Sequence, residues 1–129
     1  MKHVIIGSRG SDLALQQANQ VKDMLKITYP ELIIQIQTIR TKGDYNLEKS
    51  IEDLGGKAAF TSELEVAILN QTIDVAVHSL KDLPVKLPND LMYLGSPARE
   101  DARDVFVSNK WQKISEIPDN GVIATGSFR

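Results

Sequence analysis

The segment DVAVHSLKDLP, at positions 74–84, places three chemically useful side chains directly after an apolar run. They are the hydroxyl of Ser79, the ammonium of Lys81 and the carboxylate of Asp82. A hydroxyl and a cation together bind anionic groups. A carboxylate beside a cation either pairs with that cation or handles a proton or a developing positive charge. The segment therefore predicts a polar site at the end of a buried strand.

Two other apolar runs end in the same kinds of residue. Arg9 and Ser11 follow the run at positions 3–8, and the run that begins at position 121 ends in hydroxyl side chains followed by Arg129. In open α/β sheets, ligands bind outside the carboxyl ends of the parallel strands, where helix N-termini add backbone donors. Three such strand ends predict a pocket for a small molecule with several carboxylates or phosphates.

The predicted elements bring these strand ends to one edge of a sheet. An apolar strand at positions 3–8 leads into a helix that Ser11 caps. That helix ends at Tyr29-Pro30, because the residue before a proline is disfavoured in a helix. A second strand at 32–39 completes a β-α-β unit, and a right-handed crossover makes the two strands parallel.

The rest of the chain continues this alternation. Positions 40–60 are polar and contain glycine, and we interpret them as a long mobile segment. Ser62 and Glu65 form a capping-box pattern at the start of a second helix, which leads into a third strand at 73–79. Further strands are predicted at 91–96, 104–108 and 121–127. The predicted fold class is α/β with a mainly parallel sheet.

The composition excludes several classes of function. The 129 residues are 42% hydrophobic and 25% charged, and the net charge of −2 disfavours nucleic acid or an anionic membrane as the main partner. No apolar run is long enough to span a bilayer, and the N-terminus lacks the features of a secretory signal. The chain contains no cysteine, which excludes disulfides, a thiolate nucleophile and a cysteine-based metal site. We expect a cytoplasmic protein.

Each signal also has an ordinary structural interpretation. Arg9 suits a loop, Lys81 and Asp82 suit a solvated turn, and His78 suits a hydrogen-bonded structural role rather than metal binding. The stretch GGKAAF, at 55–60, lacks the spacing of a phosphate loop. These residues alone predict an anion-binding α/β domain and no particular reaction.

Six motifs together resemble the porphobilinogen deaminase family, also called hydroxymethylbilane synthase. They are GSRGSDLALQQA, TKGD, LGGKAAFTSELEVAIL, DVAVHSLKDLP, REDARDVFVS and ATGSFR. They occur in the family's order and spacing, cover essentially the whole chain, and include the highly specific AVHSLKDLP. The family's chains are more than twice as long, so the resemblance implies an N-terminal portion.

The resemblance implies a fold similar to the lobes of type II periplasmic binding proteins. Positions 1–100 would form most of the first lobe, and positions 101–129 the hinge and the beginning of a truncated second lobe. Strands without partners expose backbone donors and acceptors. We therefore expect the tail at 104–129 to pair with a second copy and the chain to form a homodimer, although the full-length family is usually monomeric.

The same resemblance implies a transferase of tetrapyrrole, porphyrin and heme biosynthesis. The family condenses four molecules of porphobilinogen into hydroxymethylbilane and releases ammonia each time. The growing oligopyrrole is built on a dipyrromethane cofactor, which is attached to a cysteine of a third domain. That domain is absent from this chain, which fits the lack of cysteine. We therefore expect the chain alone to be inactive.

The resemblance also implies roles for individual residues. Asp82 matches the family's catalytic aspartate, which faces the pyrrole N–H groups, stabilises their positive charge and moves protons. Lys57 and Phe60 match a lid segment, and no metal ligand is implied. The residues that match positions binding the carboxylates of cofactor and substrate are Arg9, Ser11, Ser79, Lys81, Arg99, Thr125, Ser127 and Arg129.

Four positions depart from the family's usual pattern. Ala58 stands where glycine is usual, and Asp53 and Ser62 stand where lysine is common. Gly126 replaces a frequent serine. The first three surround the lid segment, so they bear on lid contacts more than on Asp82.

A non-catalytic, two-lobed module that binds a solute or anion is the alternative hypothesis. Such a module would keep the cations but would not need Asp82, and an exported one would begin with a signal sequence. An interaction domain with a structural charge cluster is a third hypothesis. It leaves the shared pattern at the strand ends unexplained.

Overall fold

The computed structural model describes residues 2–45 and 61–126. The described elements follow one another as strand, helix, strand, short helix, helix and strand. Their bounds are β1 His3–Ser8, α1 Asp12–Thr28, β2 Ile33–Thr38, α2 Lys42–Tyr45, α3 Ser62–Leu69 and β3 Val75–Ala76. Two 3₁₀ turns follow, at Leu80–Asp82 and Ile114–Glu116.

The three strands form one parallel sheet in the order β2-β1-β3. β1 pairs with β2 along its whole length, with His3 opposite Ile33 at the start. It pairs with β3 only through Ile6 and Gly7. The predicted α/β class with a parallel sheet is confirmed, and the carboxyl ends of the strands lie along one edge.

Side chains of β1 build a core on each face of the sheet. Ile6 is fully buried and belongs to a cluster with Ala18 of α1 and Ile34 of β2. Its neighbour Ile5 packs instead against the cluster that contains Leu64 of α3. Successive strand residues point to opposite faces. Helices α1 and α3 therefore cover opposite faces of the sheet.

The short contact between β1 and β3 is reinforced by close packing and by hydrogen bonds. A Cβ atom added at Gly7 would lie 2.3 Å from Cδ1 of Ile73 and 3.0 Å from Cδ2 of Leu64. The backbone N–H of Asp74 donates to the carbonyl of Ile5 at 2.9 Å. The N–H of Ile5 donates in return to the Asp74 carboxylate at 2.7 Å. A side chain at position 7 would therefore crowd Ile73 and Leu64, which are both buried.

Helix α1 begins and ends where the sequence predicts. The hydroxyl of Ser11 accepts a hydrogen bond from the N–H of Ala14 at 3.4 Å, and the N–H of Tyr29 donates to the carbonyl of Leu25 at 2.8 Å. Asp12 lies in the first turn, where the helix dipole favours negative charge. With 17 residues, α1 is the longest described helix. Within residues 2–45 and 61–126, no helix is long and apolar enough to cross a membrane.

Of two predictions between positions 40 and 65, one lies mostly outside the described residues and the other needs correction. The segment predicted as mobile begins with α2, a short helix, and its positions 46–60 lie outside the described residues. The capping box of Ser62 and Glu65 is absent, because Thr61 is the N-cap and makes no side-chain capping bond. The hydroxyl of Ser62 donates instead to the carboxylate of Glu63 at 3.0 Å.

Several predicted strands are absent from the described residues. The third strand spans Val75–Ala76 rather than 73–79. The segments 91–96 and 104–108, and the described part of 121–127, are irregular. Their apolar side chains are largely exposed, including Met92 at 76%. An apolar run becomes a strand only when a neighbouring strand pairs with its backbone, and the described residues offer these runs no such neighbour.

The chain divides into two compact units, Met1–Pro97 and Ala98–Arg129. The first contains the sheet and its helices. The second contains the Ile114–Glu116 turn and an exposed ion pair between Arg103 and Asp101.

Candidate functional site

A pocket of about 120 Å³ lies at the carboxyl ends of β1 and β3. It belongs entirely to the first unit. It is lined by Arg9, Ser11, Leu13, Ala14, Gln17, Val77, His78, Ser79, Lys81 and Asp82. A guanidinium, an ammonium, hydroxyls, an amide and a carboxylate thus meet at one edge of the sheet. This is the edge where ligands bind in open α/β folds.

Backbone hydrogen bonds hold the segment after β3 next to the carboxyl end of β1. The N–H of Val77 donates to the carbonyl of Gly7 at 3.0 Å, which extends the pairing of β1 and β3 by one position. Directly after it, the N–H of Asp82 donates to the carbonyl of Ser79 at 2.9 Å and closes the 3₁₀ turn. Lys81 and Asp82 belong to this turn, and both line the pocket. The side chains that follow β3 are therefore positioned by backbone geometry.

Helix α1 contributes a second constraint on the pocket. The hydroxyl of Ser79 donates to the amide oxygen Oε1 of Gln17 at 3.0 Å. Gln17 lies on α1, one residue before the fully buried Ala18 that anchors the helix to the sheet. The Ser79 hydroxyl is thereby held in one orientation. The hydroxyl has one proton, so it donates to a ligand carboxylate only if the bond to Gln17 opens.

Arg9 is held by a carboxylate from the segment after β2. Its Nε donates to Oδ1 of Asp44 at 3.1 Å, and its Nη2 forms an ion pair with the same oxygen. The other oxygen, Oδ2, accepts from both the backbone N–H and the hydroxyl of Thr41, each at 2.9 Å. Thr41 is fully buried. Arg9 is therefore connected through Asp44 to the segment that follows β2.

Hydrogen bonding determines the charge of Asp44. Its partial burial by itself raises the pKa of the carboxyl, but the hydrogen bonds from Arg9 and Thr41 and the positive charge of Arg9 together lower it below 3.8. Asp44 is consequently ionised at neutral pH. Arg9 and Asp44 form a charge-balanced pair, and Lys81 and Asp82 are the other charged residues that line the pocket.

His78 lies on the pocket wall in a partly buried position. Burial is the main reason that the pKa of its imidazole is lowered below 6.5. The positive charge of Arg9 lowers the pKa further, whereas the negative charges of Glu65 and Asp82 raise it. His78 is therefore neutral at pH 7. Its ring adds no positive charge to the pocket.

Five of the residues predicted from the sequence line this pocket: Arg9, Ser11, Ser79, Lys81 and Asp82. Two others, Arg99 and Thr125, belong to the second unit and are exposed there. The remaining four, Lys57, Phe60, Ser127 and Arg129, lie outside the described residues. The described residues hold no cluster that could bind a metal ion.

The sequence also contained signals for two site residues that were not predicted. Asp44 stands three residues after Thr41, and this spacing is that of a capping box in which an acidic side chain returns to the N-cap N–H. Gln17 has the hydrophilic side chain of a surface position but lies four residues before Val21, within the apolar stripe of α1. A polar residue within such a stripe indicates a specific partner.

A larger hollow of about 390 Å³ adjoins the 3₁₀ turn. Its walls are mostly apolar, and Lys81 is the residue it shares with the smaller pocket. Size favours this hollow, but chemistry favours the smaller pocket, where hydroxyls, cations and a carboxylate converge. We therefore assign the candidate site to the smaller pocket.

Comparison with known proteins shows the family of the chain. Residues 4–129 match the family model described as porphobilinogen deaminase, dipyromethane cofactor binding domain. The chain is 47% identical to the porphobilinogen deaminase of Francisella philomiragia and 43% identical to that of Chromobacterium violaceum. All of this chain is covered in both alignments, but it spans only 43% and 42% of those two relatives. The chain belongs to the porphobilinogen deaminase family.

Proposed function

We propose that this chain provides the first substrate-binding lobe and the catalytic carboxylate of a porphobilinogen deaminase. The whole protein would condense four molecules of porphobilinogen into hydroxymethylbilane and release ammonia each time. The observation that supports this proposal is that Asp82 lines one pocket with Arg9, Ser79 and Lys81. The reaction of this family would use all four kinds of side chain: carboxylate, guanidinium, hydroxyl and ammonium.

The cations and hydroxyls of the pocket would hold the carboxylates of the substrate. Porphobilinogen has an acetate and a propionate, and these bind well to guanidinium, ammonium and hydroxyl donors. Arg9 is oriented by Asp44, so its guanidinium is fixed before a ligand arrives. Pre-oriented donors bind with a smaller entropic cost. Lys81 supplies the positive charge that attracts an anionic substrate.

Asp82 would act on the pyrrole nitrogens and on the protons of the reaction. Loss of ammonia and attack by the next ring create positive charge on a pyrrole nitrogen, and a carboxylate facing that N–H stabilises it. In its protonated form the same carboxyl group can give a proton to the departing amine, and the carboxylate that remains can accept one from the attacked ring carbon. The imidazole of His78 is neutral, so it adds no positive charge that would oppose the charge on that nitrogen.

The donor set of the pocket also fits the family's dipyrromethane cofactor, which carries carboxylates of the same kind. Arg9, Ser79 and Lys81 would hold it. When bound, it supplies the terminal ring to which the first substrate is joined. This chain has no cysteine, so the thioether that attaches the cofactor would involve a residue outside these 129 positions.

The remaining predictions stay proposals. We propose that the α/β unit is a lobe of the type II periplasmic-binding-protein kind, and that the whole protein acts in the cytoplasm. Lys57 and Phe60 would belong to a lid. Carboxylate binding would also involve Arg99, Thr125, Ser127 and Arg129.

Direct binding of porphobilinogen to the 129-residue chain tests this proposal. Titration calorimetry should detect saturable binding that Lys81→Met weakens. The matched control is Lys86→Met, because Lys86 is another exposed lysine of the same segment but does not line the pocket. Absence of binding, or equal losses in the two variants, would refute the proposed site.

A further inference from the structure

Asp44 contacts both Arg9 and Thr41. Its carboxylate could have either of two effects on ligand binding, and its contacts distinguish between them. A carboxylate that is bound to an arginine can compete with an anionic ligand for that arginine. It can instead hold the arginine in the orientation that the ligand requires. The two effects predict opposite changes in affinity when the carboxylate is removed.

The contacts of Asp44 favour the second effect. Both Arg9 contacts use one oxygen, Oδ1, while Thr41 occupies the other oxygen with two hydrogen bonds of 2.9 Å. Thr41 is fully buried and follows Ile39, whose N–H donates to the carbonyl of Ser8 at 2.8 Å. The Asp44 carboxylate is thus attached to the sheet, unlike a mobile surface charge.

The exposure of the pair leads to the same conclusion. The side chains of Arg9 and Asp44 are only 21% and 22% exposed, so an ion pair between them is less weakened by solvent than a surface pair. A guanidinium has five N–H donors in a planar fork, and it can therefore bind Asp44 and a second anion at the same time. A ligand carboxylate need not displace Asp44.

We propose that Asp44 is the positioning residue of Arg9, which it holds at the pocket so that the guanidinium binds a ligand carboxylate with higher affinity. Thr41 completes this role by fixing Asp44 to the end of β2. The inference rests on the proposed function in one respect, because porphobilinogen is the anion used to test it. The orientation of Arg9 itself can be tested without a ligand.

The first measurement is the solvent exchange rate of the Arg9 Nε–H, followed by ¹⁵N NMR of the 129-residue chain and assigned with Arg9→Lys. Asp44→Asn should accelerate this exchange about tenfold or more, since a hydrogen bond to a charged group is lost. Thr41→Val keeps the side-chain volume but removes one donor to Asp44, and it should accelerate exchange by about two- to tenfold. Unchanged exchange in both variants would overturn the proposal.

The second measurement is the affinity for porphobilinogen. Asp44→Asn should weaken binding about tenfold, and Asp44→Glu, which keeps the charge, should recover part of that loss. The control is Asp101→Asn, which removes the carboxylate of the exposed Arg103–Asp101 pair and should leave both Arg9 exchange and affinity unchanged.

Tighter binding by Asp44→Asn would show that Asp44 competes with the ligand, and it would overturn the proposal. If the unsubstituted chain binds no porphobilinogen, the proposed function is wrong. The exchange rates of Arg9 then decide alone whether Asp44 positions it.

Discussion

The hydroxyl of Ser79 and the amide oxygen of Gln17 are joined by a hydrogen bond of 3.0 Å across 62 positions of sequence. Gln17 belongs to α1, which follows the central strand β1. Ser79 follows β3, which is an edge strand of the sheet. The bond therefore connects the first β-α unit of the chain to the segment that carries Lys81 and Asp82. It couples the stability of the sheet to the geometry of the site.

This coupling can be measured with a double-mutant cycle. Ser79→Ala and Gln17→Leu each remove one partner, and each should lower the free energy of unfolding by about 0.5–1.5 kcal/mol. The double variant should lose less than the sum, because both single variants remove the same bond. Urea unfolding of the four proteins gives the coupling. Strict additivity would show that the two side chains do not interact in solution.

His78 should make the stability of the chain depend on pH. Burial lowers its pKa in the folded state below the 6.5 of a free imidazole, so the unfolded state binds more protons between those two values. The free energy of unfolding should therefore fall as the pH is lowered from about 7.5 to about 5. His78→Gln should show a smaller fall over the same range. Identical pH profiles for the two proteins would contradict the lowered pKa.

Gly7 should tolerate no side chain without a cost in stability. Gly7→Ala places a Cβ 2.3 Å from Cδ1 of Ile73, and such overpacking should lower the free energy of unfolding by about 1–3 kcal/mol. Gly126→Ala is the control, since nothing lies within 4 Å of its Cβ position. Ile73→Val removes this Cδ1 atom. It should therefore lower the free energy of unfolding less in the Gly7→Ala protein than in the unsubstituted chain. A Gly7→Ala protein as stable as the parent would show that the side chains of Ile73 and Leu64 can move aside.

The second unit should promote self-association. The side chains of Val105, Val107 and Val122 are 81%, 87% and 94% exposed. Covering exposed valines with a partner surface is favourable, because it removes apolar area from water. Sedimentation at micromolar concentration should detect a dimer of the 129-residue chain. Replacing Val105 and Val107 by lysine should shift it toward the monomer. A monomer at all concentrations would contradict the expected homodimer.

The parts of the fold that local sequence determines were predictable. β1, α1 and β2 follow from apolar periodicity, the Ser11 cap and Tyr29-Pro30, because these signals act within a few residues. The strand runs at 91–96 and 104–108 were predicted wrongly, since an apolar run indicates burial but does not specify a pairing partner. The capping box at the start of α3 was also predicted wrongly, because Ser62 bonds to Glu63 rather than to the helix backbone.

The candidate site was predictable to the same extent. Arg9, Ser79 and Asp82 follow strands, and the topology of a parallel sheet places such residues at one edge. Asp44 and Gln17 depend on tertiary contacts with Arg9 and Ser79. Sequence spacing gives the local geometry of a residue, but it does not identify a partner that is distant in the chain.

The most direct test of the account is the rate of hydroxymethylbilane formation by a protein of the family's full length that carries this sequence with Asp82→Asn. The amide cannot stabilise positive charge on the pyrrole nitrogen or transfer the proton, so the rate should fall by about 10²–10³ or more while the fold is retained. Asp90→Asn is the matched control, because Asp90 is exposed, does not line the pocket, and has a φ of 68° that asparagine also adopts. Near-normal product formation by Asp82→Asn would contradict the assignment of Asp82 as the catalytic carboxylate.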